Sequence, residues 1–303
     1  MDFDNVSISS IQDLLDALDK MCGDPEYTYL YRGHSRKTYK LIPGLFRPGA
    51  PANKEYVLCQ KIYREHPYEF ENYSRLQKLI KMQHYGVPTR LLDFSMNPLI
   101  ALYFAVTDNI QDDGEFIIYK VHNDKIKYED SAKVNAIACF SYMKQDTMQN
   151  LLEYCNNNLG KFVCDTKSEL QAAGLYGKIT DRKDINYGAN VLIRMLEKEN
   201  ISDNFCWKNL LNPMAFLANK TFDRASVQDS AFVIFGSPKN QIKNNVEKKL
   251  FLKKITIPFN CKQEMLKQLR LIGVSDSMVY PSLVSRVNDI LGKKANWEKY
   301  IES

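Results

Sequence analysis

The apolar run Leu99-Ile100-Ala101-Leu102-Tyr103-Phe104-Ala105-Val106 constrains this chain more than any other feature. A helix apolar on every face has to be covered on every face, so residues 98–107 are expected to form a nearly buried helix. The run is far too short to cross a bilayer. It also follows a polar entrance. His84, Arg90, Asp93 and Ser95 fall within twelve residues, in a frame of Gly86, Pro88 and Pro98. Gly86 and Pro88 punctuate, so His84 and Arg90 should flank a turn. Arg90 to Phe94 reads as a short strand end, with Arg90, Leu92 and Phe94 on one face and Asp93 on the other. Asn97 suits an N-cap and Pro98 a first helical turn. A helix starting there turns its free amides toward Ser95, a geometry that favours anions. Bland roles remain open for the same residues. Asn97 can be a cap only, His84 a structural histidine, and Asp93 a buried partner of Arg90.

The rest of the chain places these groups in an α+β frame. Ser9 and Ser10 precede a helical stripe of Ile11, Leu14, Leu15 and Leu18,. Tyr27 to Tyr31 alternates as a strand and delivers Arg32-Gly33-His34. Helices are expected at 54–65 and 68–83, a strand at 115–121, and helices near 145–155 and 190–199. Strands follow at Val227 to Phe235 and Lys249 to Ile257, then helices at 262–272 and 282–291. No linker or repeat divides the 303 residues, which argues for one domain, 1–303, with core motifs in 27–121 and 224–291 and a helical insertion at about 124–220,.

Composition excludes several classes. The charged fraction of 25% is that of an ordinary globular protein,. The seven cysteines form no CxxC pair, and the four histidines have no helical metal spacing, so neither a disulfide framework nor a metal site is expected,. The cysteine usage and the lack of a signal-peptide pattern favour a cytoplasmic location without a membrane. Part of the net charge of +5 sits in Lys243, Lys248, Lys249, Lys253, Lys254, Lys262 and Lys267, expected to be the solvated side of a strand and a helix,.

Three segments together resemble the FRG-domain family. They are Tyr31-Arg32-Gly33-His34, then Gln83 to Ser95 with Asn97-Pro98 and Ala101 to Ala105, and finally Arg224 through Gln228 to Phe232. Gly273-Val274 through Tyr280-Pro281-Ser282-Leu283 is similar to that family's C-terminal signature. The resemblance spans roughly residues 8–291. Ser230 stands where the family pattern has glycine, and Ser282 where it has an acidic residue. The family's members are mostly proteins of bacteria and their phages, often near defence or toxin genes, which implies a toxin or phage-defence effector.

A looser resemblance is to ADP-ribosyltransferases, which place an Arg or His on an early strand, a Ser on a strand leading into a helix, and a Glu or Gln near a later strand. Arg32, Ser95 and Gln228 fall in that order. This implies a bent or split, mostly antiparallel sheet, NAD as substrate, and a protein or nucleic-acid acceptor. Arg32 would grip phosphate through paired donors. Ser95 would support the nicotinamide ribose, and Gln228 would orient the acceptor or a ribose hydroxyl. Gly33, His34, His84, Thr89, Arg90, Asp93 and Asn97 would complete the pocket. Gln228 is the departure, since an amide cannot act as a base. A second reading is a non-catalytic module that binds a nucleotide, nucleic acid or peptide. A third is a hydrolase using His84 with Asp93. Against all three stands an Arg32–Asp93 ion pair that serves architecture alone.

Overall fold

The computed structural model describes residues 6–157, 183–201, 210–236 and 251–281. Among the described residues, seven strands make one mixed sheet: β1 (Tyr27–His34), β2 (Leu91–Ser95), β3 (Gly114–His122), β4 (Lys127–Tyr128), β5 (Met214–Leu217), β6 (Ser230–Ile234) and β7 (Phe251–Ile257). Their order is β4-β5-β6-β2-β1-β3-β7. Every pairing is antiparallel except β4 with β5.

The centre of the sheet is weakly joined. β1 pairs with β3 over its whole length, from Tyr27 opposite His122 to His34 opposite Glu115. With β2 it makes a single pair, Tyr31 opposite Ser95. Beyond that pair the two strands part. The sheet is continuous through one rung and split beyond it, so the expected bent or split sheet takes the form of a notch between β1 and β2.

Ten helices surround the sheet: α1 (Ile11–Met21), α2 (Glu55–Glu65), α3 (Arg75–His84), α4 (Pro98–Val106), α5 (Ala132–Ala138), α6 (Gln145–Asn157), α7 (Lys183–Lys198), α8 (Asp223–Val227), α9 (Lys262–Leu271) and α10 (Asp276–Val279), counted among the described residues. Capping boxes fix two of the starts. Ser10 and Asp13 exchange side-chain and backbone bonds at α1, and Ser74 and Gln77 do so at α3,. The second box explains why α3 begins at Arg75 and not at residue 68. Asn97 caps α4, its Oδ1 accepting from Leu99 N at 2.9 Å.

α4 is the expected buried helix: Ile100, Ala101, Leu102, Tyr103, Ala105 and Val106 are buried, with Leu99 and Phe104 partly covered. It lies on one face of the sheet over β1, β3 and β7, with α1, α9 and α10. A second core covers β2, β5 and β6 on the same face, built by α3, α5, α6 and α7. The opposite face holds Leu30, Leu92, Phe94, Ile117 and Val233. Two cores meeting on one face leave a seam, and the seam runs over the notch.

The close approach of α4 to β1 depends on Gly33. A Cβ there would lie 2.0 Å from Ala101 O and 2.5 Å from Ala105 N, both backbone atoms that cannot rotate away. Gly33→Ala is therefore expected to destabilise the protein by about 1–3 kcal/mol or more, as overpacking does. Thermal melting checks this; an unchanged melting temperature would mean that the helix sits farther from the strand.

Several expectations are corrected. The region 124–220 is not purely helical: it also supplies β4 and β5, which extend the same sheet. Residues 223–227, partly expected as strand, form α8, and β6 begins at Ser230 after Asp229 turns the chain with φ 45°. Lys262 is fully buried, its Nζ donating to Ser35 O at 2.7 Å and Asn109 O at 3.1 Å, so it ties the loop after β1 to the end of α4. The helix expected at 282–291, Ser282, Lys243, Lys248, Lys249, Cys164 and Cys206 lie outside the described residues. Among the described residues the cysteines are free, no cluster of metal-ligating side chains occurs, and no helix is long and apolar enough to cross a membrane.

Candidate functional site

A cavity of about 630 Å³ occupies the notch. Because β1 and β2 part there, it takes side chains from both faces of the sheet. Alternation along β1 puts Arg32 and His34 on the face away from α4, while Asp93 and Ser95 of β2 point toward the helices,. Loop 35–51 closes one side with Tyr39, Lys40 and Arg47. The end of α3 supplies Gln83 and His84, and α8 supplies Arg224 with Gln228 behind it.

Arg32 spans the gap left by the unpaired strands. Its Nη1 donates to Asp93 O at 2.6 Å and lies 3.8 Å from the Asp93 carboxylate. Its Nε donates to His34 Nε2 at 3.1 Å. Nη2 has no partner among the described residues, so two donors remain for a ligand. Asp93 is half-exposed and accepts from Gln83 Nε2 at 2.9 Å. The Arg32–Asp93 pair is thus real, and Asp93 pairs with Arg32 rather than with Arg90.

His84 ends α3. Burial and the neighbouring Arg224 push its pKa down to about 4 against the pull of Asp93, so the ring is neutral at neutral pH,. Its Nε2 is buried without a hydrogen-bond partner among the described residues. No hydrogen bond joins His84 to Asp93 among the described residues, so the dyad required for a hydrolase is not formed. Arg224 Nη1 donates to His84 O at 2.7 Å, and its guanidinium lies 4.6 Å from the Tyr280 ring centre. Arg224 Nε is also buried, with no hydrogen-bond partner among the described residues. Two orphaned polar atoms on one cavity wall ask for an explanation.

Ser95 and Gln228 meet, but through atoms that hold the wall together. Ser95 Oγ donates to Gln228 O at 2.6 Å and accepts from Asn97 N at 2.9 Å. Its only proton is committed. Gln228 Nε2 donates to Val279 O at 3.0 Å, which leaves Oε1 and the second N–H as the groups the amide can offer the cavity,.

Of the residues anticipated from the sequence, Arg32, Gly33, His34, His84, Asp93, Ser95 and Gln228 line the cavity; Thr89, Arg90 and Asn97 do not. Arg90 is fully buried elsewhere, paired with Glu55 of α2 and donating to Phe235 O at 2.9 Å and Gly236 O at 3.1 Å. It lies just before β2, so the alternation assumed from residue 90 onward does not include it. Thr89 is buried and donates to Gln83 Oε1 at 2.6 Å, which aims the Gln83 amide at Asp93. Asn97 acts as the cap described above.

Sequence reading missed Arg47, Lys40, Tyr39 and Arg224 as site residues. The first three sit in a Pro/Gly loop with no periodicity to assign a face. Arg224 was visible at the start of the third motif, four residues before Gln228 and so on its side of a helical turn. With these included, the cavity is strongly cationic. Among the described residues, Arg32, Lys40, Arg47 and Arg224 face a single lining carboxylate, Asp93. Lys40 and Arg47 are exposed, while Arg32 and Arg224 are more sheltered, and like charges there repel one another until an anion arrives,.

No curated protein and no solved structure matches this chain. Residues 27–114, which run from β1 to the first residue of β3 and contain Arg32, His84, Asp93 and Ser95, match the family model of the FRG domain.

Proposed function

We propose that the cleft binds NAD and that the protein transfers ADP-ribose to a protein or nucleic acid. The observation that carries this reading is the charge balance of the notch: among the described lining residues, four cations surround a ligand-sized cavity with one carboxylate,. The free Nη2 of Arg32 and the Arg224 guanidinium suit a pyrophosphate, and Tyr39 and Phe104 offer flat apolar surface to the rings.

The chemistry then falls to Asp93. The bond from the ribose anomeric carbon to nicotinamide nitrogen breaks, and nicotinamide leaves with the electron pair. The Asp93 carboxylate faces the positive charge that develops on the ribose. The acceptor nucleophile forms the new bond and gives up its proton to Asp93 or to water. Ser95 and Gln228 act here as wall and orienting groups rather than as nucleophile and base. The role of toxin or phage-defence effector belongs to the same proposal. Expression of the wild-type chain is then expected to slow a bacterial host, and an Arg32→Ala chain to spare it.

The non-catalytic binding module is the second reading. It is favoured by the internal engagement of the Ser95 hydroxyl and the Gln228 amide. Calorimetry with NAD, followed by mass spectrometry of lysate proteins and nucleic acids, separates the two. Heat of binding with released nicotinamide and an added ADP-ribose mass supports transfer. Binding without either product leaves the module, and no binding of NAD rejects the nucleotide reading.

A further inference from the structure

The Arg32 guanidinium does not sit in the notch by itself. Behind it, on the face away from α4, lies a buried chain of polar groups that the proposed reaction does not use. His34 is almost fully buried, and so is Glu115, directly opposite it on β3. His34 Nε2 accepts from Arg32 Nε at 3.1 Å, which requires a lone pair on Nε2 and places the ring proton on Nδ1,. Nδ1 lies 3.6 Å from Glu115 Oε2. Both of those atoms are buried and lack a hydrogen-bond partner among the described residues. A small rotation of either side chain closes the gap, and the carboxylate favours the tautomer that the arginine needs.

We propose that Glu115 and His34 are positioning residues that hold Arg32 aimed into the cleft, and that protonation of His34 releases it, so that anion binding fails in acid. The proposal rests on the anion-binding reading of the cleft. Its logic is geometric. A protonated His34 would turn an Nε2–H toward the Arg32 Nε–H, donor against donor, and set one cation beside another. Arg32 could then keep its bond to Asp93 O only by turning its plane, which redirects Nη2.

The charged and titratable groups facing His34 are Arg32 on its own strand, Glu115 on β3, Lys254 on β7 and Tyr39 on the loop, whose ring centre lies 6.0 Å away. Lys254 Nζ lies 3.6 Å from Glu115 Oε2 and shares that carboxylate. Burial lowers the His34 pKa from the ordinary histidine value. Glu115 opposes this, while Arg32 and Lys254 add to it. The ring is therefore neutral at neutral pH, and the release falls on the acid side of the ordinary value.

Two measurements test this. The first needs no ligand. Nitrogen-15 spectra of the four histidine rings, with His34 assigned by its loss in His34→Gln, are expected to show the Nδ1–H tautomer for His34. They should also show a shifted titration of that ring in Glu115→Gln. An Nε2–H tautomer overturns the proposal. The second is calorimetry with NAD, whose diester phosphates keep their charge across this range, at about pH 7.5 and about pH 5, spanning the histidine range. Wild type is expected to bind more weakly on acidification, as the bond from Arg32 to His34 is lost. In His34→Gln the amide oxygen can still accept from Arg32 but cannot gain a proton, so its affinity should stay flat. An equal pH dependence in both proteins overturns the proposal. Absence of binding by wild type at both pH values would reject the nucleotide reading of the cleft, and the tautomer result would still decide the arrangement of Glu115, His34 and Arg32.

Discussion

Glu55→Ala is expected to cost about 3–5 kcal/mol of stability, because it leaves the fully buried Arg90 charge without a counter-ion,. Arg90 joins four parts of the chain. It pairs with α2 through Glu55, with Nε 2.9 Å from Oε1. It caps the end of β6 through the carbonyls of Phe235 and Gly236. Its guanidinium also packs against the rings of Phe46 and Phe140. Chemical denaturation of Glu55→Ala measures the loss. A companion Glu55→Leu/Arg90→Met protein should recover much of it, since replacing both buried charges by apolar groups is often neutral. A loss below about 1 kcal/mol in Glu55→Ala would place the pair in the class of solvated surface bridges instead.

That ion pair also shows where the sequence stops being legible. Nothing local announces that Arg90 reaches back 35 residues to Glu55. Its neighbourhood looked like a site because it lies between Gly86 and Ser95, and a polar cluster in sequence was read as a polar cluster in space. The cluster is in fact divided by β2. Asp93 and Ser95 point into the notch, while Arg90 precedes the strand and turns into the interior. Elements with strong patterns were readable. The run 99–106 demanded a buried helix, and the alternation after Tyr27 gave β1 with Arg32 at its open end. The Ser74-x-x-Gln77 box was equally readable and marks the true start of α3.

What could not be read was the parting of β1 and β2. Strand pairing is non-local, and no residue states that two central strands share a single rung. The consequence is functional. A fully paired sheet would bury the Asp93 carbonyl in a ladder and hold Arg32 on one face. With one rung only, the arginine satisfies that carbonyl itself and projects into an opening reached from both faces. Gly33 belongs to the same design, because it lets α4 come against β1 and form the floor of the opening.

Arg32→Ala is expected to abolish anion binding in the cleft, a loss of about 2–5 kcal/mol for removing one member of a desolvated charge contact. The fold should survive. Arg32 lies at the parted edge of β1, and its side chain is 15% exposed rather than sealed. Its removal orphans Asp93 O and frees His34 Nε2, which costs about 1–3 kcal/mol in the worst case. The melting temperature is therefore expected to fall modestly while titration with pyrophosphate or NAD gives no heat. Arg32→Lys is the sharper companion. It keeps the charge but has a single nitrogen, so it cannot reach His34, Asp93 and a phosphate together, and it should restore little binding. If Arg32→Ala unfolds the protein, the Arg32–Asp93 contact is architectural and the notch is a by-product of packing. If Arg32→Ala binds as wild type does, the remaining cations hold the ligand and Arg32 has no part in it. Loss of binding with a retained cooperative melt is the outcome that separates a ligand-gripping arginine from a structural one.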